Sequence, residues 1–431
     1  MRRRKSAGLF CLATTSALCL SGCLMDGTDA VEVQKGQPNF TAQEADESLV
    51  ISGLYKRNSV IPSGSAYDKI AQSVLAANSR SSEAELRSAR LRQVAADKNW
   101  LPSIGPQVSL TSFGKVVAQM VVEQVIYDNG RKKAERAFAK ADVEVAAVAL
   151  AEDTNTRVFI ALSLYTKSQQ GKAEAQVARR ALARMREFER VMTARVDGGV
   201  SDYSELAVIN QKTAQLQAKL SAAEQISATA LAELNAMAAT PITDVTGVTA
   251  LKTEEMSPER ALTVVRSSAE KERSIAAAQI SRAGLLPGLS ATGVIDDGGS
   301  SGQLTVKSDQ GFGFGTGANL KAVEASKDAA EQSFGQSKED AARRIRSLSA
   351  REGALLQQVS DSKSLEGKSR ETYGLFEDQY EAGHRTVMDV VGVFETLTRI
   401  EQETVDLAHE KALVQLELAK EMGVLVNGAD I

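Results

Sequence analysis

The residues that usually carry catalysis are few in this chain and badly placed for it. It has two histidines, His384 and His409, on separate stretches. Neither sits in an HExxH pattern or beside a cluster of further ligands, so no metal site is expected. Gly298-Gly-Ser300-Ser-Gly302 fits G-x-S-x-G, the turn that exposes a serine for acyl transfer. Such an elbow leaves a strand and enters a helix; here polar, strand-like sequence follows from Gln303, and the segment reads as a hairpin loop. The glycines of Gly311 to Gly317 alternate by two and do not fit a loop that cradles phosphates. No nucleophile–base pair can be assembled. The expectation is a chain that is not an enzyme, with no catalytic residue, no metal and no cofactor.

Composition points away from an enzyme core as well. Of 431 residues only 4% are aromatic, with one tryptophan, whereas large cores lean on rings for buried area. Long helices packed through small side chains suit this composition better. Beyond the N-terminus no apolar run is long enough for a transmembrane helix, which excludes a multi-span helical membrane protein. The elements that remain are an export segment, long helices and a few short strands.

The export segment comes first. Arg2, Arg3, Arg4 and Lys5 precede a small-and-apolar stretch, Ala7 to Leu20, the pattern of a secretory signal. It ends Leu20-Ser21-Gly22-Cys23, which resembles the bacterial lipobox. That resemblance implies cleavage after residue 22 and a lipid anchor on Cys23, with fatty acyl chains such as palmitate; the alternative is an ordinary signal with a chance cysteine. Leu24 in place of an aspartate implies outer-membrane sorting. All three cysteines, Cys11, Cys19 and Cys23, lie at or before the cut, so the mature chain has no thiol pair. Cleavage removes four basic residues and no acidic one, taking the formal charge from −4 to −8. A mildly acidic chain without a basic block is a poor nucleic-acid binder.

The remaining chain is written twice. Arg195-Val-Asp-Gly-Gly199 through Leu206 aligns with Gln379-Tyr-Glu-Ala-Gly383 through Val390 at a constant offset of 184. After each glycine an apolar seam runs in steps of three and four. It reads Leu206, Ile209, Thr213, Leu216, Leu220, Ala223, Ser227, Ala230, Leu234 in the first copy and Val390, Val393, Leu397, Ile400, Thr404, Leu407, Lys411, Val414, Leu418 in the second. This is a coiled-coil pattern. Upstream, Leu101-Pro102 and Leu286-Pro287 each precede strand-like sequence. Gln303 to Gly315 alternates Leu304, Val306, Phe312 and Phe314 with polar residues and glycines, and Pro102 to Ser112 alternates Ile104, Val108 and Leu110 with Ser103, Gln107 and Ser109. In Lys115 to Tyr127, Gln119 and Glu123 share one side. A barrel strand between lipid and water requires such alternation, although a soluble sandwich strand alternates too.

The expected order is a signal at 1–22, a lipid-anchored tether at 23–65, and a first repeat at 66–239. The first repeat holds a helix near 66–98, strands near 101–127, a long helix near 131–196 and a helix near 201–238. A linker at 240–257 leads to a second repeat at 258–425, with a helix near 258–284, strands near 286–315, a long helix near 318–381 and a helix near 385–424; 426–431 is a tail. The long helices would span roughly 100 Å, about the summed length of the two short helices in the same copy. The fold class is mostly α, a tandem-repeat helical barrel with a small transmembrane β part. One chain supplies four strands, and open edges cannot lie in hydrocarbon. Two chains would give a plugged barrel of eight strands, while three give twelve and a lumen, so a homotrimer is expected.

The tandem copies, hairpins, long helices and two glycine turns resemble the TolC-type outer-membrane efflux ducts, from about Ser65 to Leu425. The turn patterns Val196-Asp-Gly-Gly199-Val-Ser201 and Tyr380-Glu-Ala-Gly383-His-Arg385-Thr386 carry the resemblance most specifically. It implies a passive trimeric channel-tunnel that lets substrates of a tripartite efflux pump or type I secretion system leave through the outer membrane. It also implies partners at the turn end, a periplasmic adaptor and an inner-membrane pump. By position, Tyr380 and Arg385 fall where the family links the second turn to the first, here Ser204 and Glu205, and Asp389 falls on an acidic ring lining the constriction. One turn on this chain has Gly392, so the ring is single and a weaker selector for cations. Gly199, Val200, Ser201, Gly383 and His384 are the expected adaptor contacts. Glu205, Arg385 and Asp389 could alternatively do no more than cap or decorate helix starts. A structural coiled-coil lipoprotein without transport activity is the alternative to the duct as a whole.

Overall fold

The computed structural model describes residues 48–77, 81–110, 116–243, 245–251, 257–296, 299–308 and 313–431. The signal, Cys23 and most of the expected tether lie outside them, as does Phe312. In chain order the described elements are α1 (Leu49–Tyr55), α2 (Ala66–Ala76), α3 (Ser81–Asp97), β1 (Ser103–Leu110), β2 (Val116–Tyr127), α4 (Arg131–Asp197), α5 (Tyr203–Met237), α6 (Leu262–Gly284), β3 (Gly288–Asp296), β4 (Gly299–Lys307), α7 (Thr316–Glu381) and α8 (Val387–Met422). Short 3₁₀ turns occupy Pro258–Arg260 and Gly428–Asp430. Each copy is therefore helix, hairpin, long helix and return helix, as the repeat predicts.

The long helices α4 and α7 run 67 and 66 residues, about 100 Å each. Their neighbours are short helices. Along α4, α3 lies beside the first third, where Ser82 Oγ donates to Asp153 at 3.0 Å, and α5 lies beside the second half, where the Ser168 and Ser227 hydroxyls meet at 3.2 Å. Both α6 and α8 pack between α4 and α7. Asp142 on α4 shows how the layers are tied, accepting from Arg92 of α3 at 2.9 Å and from Arg273 of α6 at 3.1 Å.

The predicted seams are the buried stripes. On α5, Leu206, Ile209, Leu220, Ala223, Ser227, Ala230 and Leu234 are buried. The α8 stripe is wider, adding Val391, Phe394, Thr398 and Leu416, because that helix packs against two long helices rather than one. Two polar seam positions are answered across the pair, Ser227 by Ser168 and Thr404 by Ser362 at 2.7 Å, whereas the buried Thr213 hydroxyl has no hydrogen-bond partner among the described residues. At Gly171 the α4 and α5 backbones approach so closely that a Cβ would stand 2.8 Å from the Ala223 carbonyl oxygen and 2.9 Å from the Ser227 nitrogen. Backbone cannot rotate aside, so Gly171→Ala must push the helices apart. Alanine returns about 1 kcal/mol of helix propensity, but overpacking costs more. A net loss of about 2 kcal/mol is expected, read as a lower thermal midpoint of the purified protein.

The four strands form one antiparallel sheet in the order β1-β2-β3-β4. The central pair β2–β3 joins the two copies directly, with Val121 opposite Val294 and Glu123 opposite Thr292. Directly paired residues share a face, so the register sorts the sheet. Ile104, Val108, Met120, Val122, Leu289, Ile295, Leu304 and Val306 stand on one side. On the other stand Ser103, Gln107, Gln119, Glu123, Ser290, Thr292, Gln303, Thr305 and Lys307, with a few valines. Gln119 Nε2 donates to Gln107 Oε1 across the polar side at 3.0 Å. Edges β1 and β4 have no strand partner among the described residues. Trp100 and Tyr127 are exposed at the end nearest the helices.

Three details differ from expectation. The strand expected at Gln303–Gly315 occupies Gly299–Lys307 instead; 309–312 lie outside the described residues and Gly313 to Gly315 turn into α7, so Phe314 belongs to no strand. Consequently Gly299 to Gly302 is not a hairpin loop but the start of β4, paired with Asp296 to Gly293. Its small residues carry no alternation to read, yet the β3 backbone supplies their hydrogen-bond partners. The helix expected at 66–98 is two, α2 and α3. Within the expected tether, α1 and Ile61 pack into the core, and Val60 N donates to the Val424 carbonyl at 2.9 Å. Among the described residues no helix is long and apolar enough to cross a membrane.

Candidate functional site

The two glycine turns close by the same hydrogen bonds. In the first, Gly198 N donates to Ala194 O, Gly199 N to Val196 O and Val200 N to Arg195 O; in the second, Ala382 N donates to Asp378 O, Gly383 N to Tyr380 O and His384 N to Gln379 O. Every partner is offset by 184. Gly199 and Gly383 have φ of 70° and 75°, the left-handed conformation that lets a helix end in this motif at no steric cost. Even the side-chain clamp across each turn uses equivalent positions with the roles exchanged. Arg195 Nε donates to Ser201 Oγ at 3.1 Å, and Arg385 Nε to Gln379 Oε1 at 3.0 Å.

Arg385 is thus held within its own turn, and it also stacks over Phe376, 4.4 Å from the ring centroid. Tyr380 is half-buried against the apolar cluster at this end. Ser204 and Glu205 lie in the first turn of α5, and no hydrogen bond joins them to Tyr380 or Arg385 within the protomer. Asp389 closes a capping box: its Oδ2 accepts from Thr386 N at 3.0 Å and Thr386 Oγ1 at 2.8 Å, while Asp389 N donates back to Thr386 Oγ1. The backbone and hydroxyl bonds from Thr386 pull this carboxyl below the usual aspartate range. Val200, Ser201 and His384 sit at the tips with Gly199 and Gly383; Val200 and His384 are exposed and Ser201 is half-buried.

At this end of the molecule the copies are linked above the turns, by residues not singled out in the sequence. Arg184 of α4 reaches α7, where its Nε donates to Tyr373 Oη at 2.8 Å and its Nη2 to Glu377. Tyr373 Oη donates on to Glu377 at 3.3 Å. The guanidinium also covers the Phe188 ring, and the Phe188 and Tyr373 rings both meet Phe394 of α8. Burial works against the Arg184 charge, but the bonds to Tyr373 and Glu187 outweigh it and raise its pKa. Burial pushes Tyr373 up, with Arg184 opposing. Lys212 of α5 adds an ion pair to Glu395 of α8 at 2.5 Å. Higher up, Gln170 donates to Asp406, and burial together with the Asp406 carboxylate pushes Glu174 up. A signal for the cluster was present: in a chain poor in rings, Phe188, Tyr203, Tyr373, Phe376, Tyr380 and Phe394 all fall within eleven residues of Gly199 or Gly383.

Among the described residues no group of histidine, cysteine, aspartate and glutamate could hold a metal ion. What the arrangement offers is mechanical: two helical hairpins, each rigid at its turn, joined to each other by one polar and aromatic seam.

No protein-family model matches the sequence, and no curated protein matches it. Solved structures do. The outer-membrane channel OprN superposes with a TM-score of 0.72 at 13% identity, over 90% of this chain and 93% of its own. The CmeC outer membrane channel of Campylobacter jejuni gives 0.68 at 13%, over 84% and 86%. The MtrE outer membrane channel of Neisseria gonorrhoeae, in its open state, gives 0.69 at 14%, over 86% and 95%. The chain has the fold of these outer-membrane channels: a mostly helical tandem repeat carrying a four-stranded sheet, as the resemblance to TolC-type ducts implied.

Proposed function

We propose that this chain is a passive outer-membrane channel-tunnel of the TolC type. Three copies close a twelve-stranded barrel and a helical tunnel, and substrates of a tripartite efflux pump or type I secretion system leave through it. The observation that carries this reading is the sheet. Among the described residues it is apolar on one side, polar on the other and unpaired at both edges, on a fold shared with outer-membrane channels over most of the chain. Unpaired edges in hydrocarbon cost several kcal/mol per group. Pairing β4 of one copy with β1 of the next removes both edges and puts the polar side around water.

In this reading the helical end reaches into the periplasm, and the glycine turns are its tip. Tyr380, Arg385, Ser204 and Glu205 meet between the hairpins of the assembly, and three Asp389 carboxylates line the constriction. An adaptor docks on Gly199, Val200, Ser201, Gly383 and His384 and opens the tip; the inner-membrane pump supplies the energy. Cys23 carries the lipid that holds the N-terminus at the outer membrane. Reconstitution tests the proposal. The acylated protein in liposomes is expected to conduct ions, and its mass in mild detergent to be that of three chains. Sealed liposomes and particles of a single chain would instead support the structural lipoprotein.

A further inference from the structure

We propose that Glu123 and Lys307 set the ion preference of the bore, as two fixed rings of opposite charge in series along its axis. This rests on the trimeric channel reading, in which the polar side of the sheet faces the lumen.

On that side the register places hydroxyls, amides, glycines and valines apart from these two and Asp296, which pairs with Gly299 at the opposite end of β3 from Gly288 and Lys307. Glu123 pairs with Ser103 on one flank and Thr292 on the other, and the next strand in the row presents Gln303. None of these is a cation, and the Ser103 hydroxyl donates to the Glu123 backbone carbonyl rather than to its carboxylate. A cavity of about 310 Å³ where the sheet meets the helices is lined by both residues and by Asp128, Arg131, Lys132 and Glu135. Those four are engaged locally. Arg131 Nε donates to Glu135 at 3.0 Å, Lys132 Nζ to the Asn99 carbonyl, and Asp128 accepts from the backbone of Gly130 and Lys132. Glu123 and Lys307 make no ion pair among the described residues.

Nor do the two neutralise each other. Lys307 lies four residues beyond Gln303 on β4, about 13 Å along the strand, more than the ~8 Å Debye length at physiological salt. Three copies therefore place three carboxylates at one level and three ammonium groups nearer the helices, against a low-dielectric wall that concentrates their field. The tip offers one carboxylate per copy, Asp389, which the Thr386 bonds keep ionised, and Gly392 adds no second acid. Opposite rings in series also make conduction directional, because one polarity drives both ion types into the space between the rings and the other drains it.

The test is a KCl gradient across planar bilayers holding wild type, Glu123→Gln or Lys307→Gln. Three like charges about a Debye length from the axis alter local ion concentration by about threefold. The K⁺ to Cl⁻ permeability ratio is therefore expected to fall by about that factor in E123Q and to rise in K307Q. Both variants should lose current rectification, and the shifts should grow at low salt. Conducting variants that keep the wild-type reversal potential at low salt would overturn the rings and leave the channel intact. A wild type that never conducts would overturn the channel reading, and the rings with it.

Discussion

If the chain is the channel-tunnel proposed, Arg184→Ala is expected to open it without an adaptor. The guanidinium is the one group that bonds the first-copy hairpin to both Tyr373 and Glu377 of the second, and under the proposed mechanism the second hairpin must move away from the first for the tip to open. Bonds involving a charged partner contribute about 1.5–3 kcal/mol each when buried. Arg184 and Glu377 remain about a third exposed, at 29% and 32%, so roughly 1–2 kcal/mol per protomer is a fair figure after solvent screening. Three protomers opening together multiply it to roughly 3–6 kcal/mol, which moves the closed-to-open ratio by about 10²–10⁴. Single-channel recording should show a large rise in open probability. Tyr373→Phe, which removes one bond and keeps the ring against Phe394, should give a smaller rise in the same direction. An Arg184→Ala channel as quiet as wild type would mean that the seam positions helices and does not hold the tip shut. In that case Arg385, bonded to Gln379 of its own turn, would have to act across a protomer boundary.

Why the repeat was readable and this seam was not has a physical explanation. Local devices write themselves into sequence. The glycine turns, the steps of three and four, and the strand alternation each constrain residues a few positions apart, and α4 falls within a residue of its expected ends because Gly130 and Gly198-Gly199 punctuate it. Internal alignment, however, reports equivalence and not contact. Arg184 aligns with Lys368, while its partners Tyr373 and Glu377 align with Glu189 and Thr193; the pairing exists only because α8 brings the two long helices together. β4 began earlier than expected for a related reason. Gly299 to Gly302 has no side-chain pattern, and its strand geometry comes from the ladder that β3 offers. The width of the buried stripe on α8 likewise reflects two neighbours that no periodicity could number. The capping role of Asp389 was legible from its place at a helix start, three residues after Thr386.

The largest loss of stability is expected from Arg57→Met, in the stretch expected to be no more than a tether. Arg57 is 5% exposed. Its Nη1 donates to the carbonyl of Met422, at the end of α8, and its Nη2 to that of Arg260 at 2.7 Å, where the second copy begins. Its own carbonyl accepts from Gly428 N at 2.8 Å. One side chain thus ties the segment after α1 to both ends of the second repeat. Burial, with Arg260 adding repulsion, pushes the guanidinium down to about 10, so it is still charged at neutral pH. That charge is held by backbone carbonyls, and no carboxylate pairs with it among the described residues. Methionine keeps much of the apolar stem but leaves the buried Met422 carbonyl without its donor, at about 1–3 kcal/mol, and the part-buried Arg260 carbonyl at less; relief of the desolvated charge offsets part of this. A net loss of about 3 kcal/mol follows, large beside the usual effect of a single substitution. Arg57→Lys keeps a charge but lacks the planar fork that reaches two carbonyls at once, and should recover less than half of it. Denaturant titration of the three proteins measures the order. If Arg57→Met unfolds at the wild-type midpoint, the segment is an appendage, and the β2–β3 pairing with the α4–α6 and α4–α8 contacts holds the two repeats together without it.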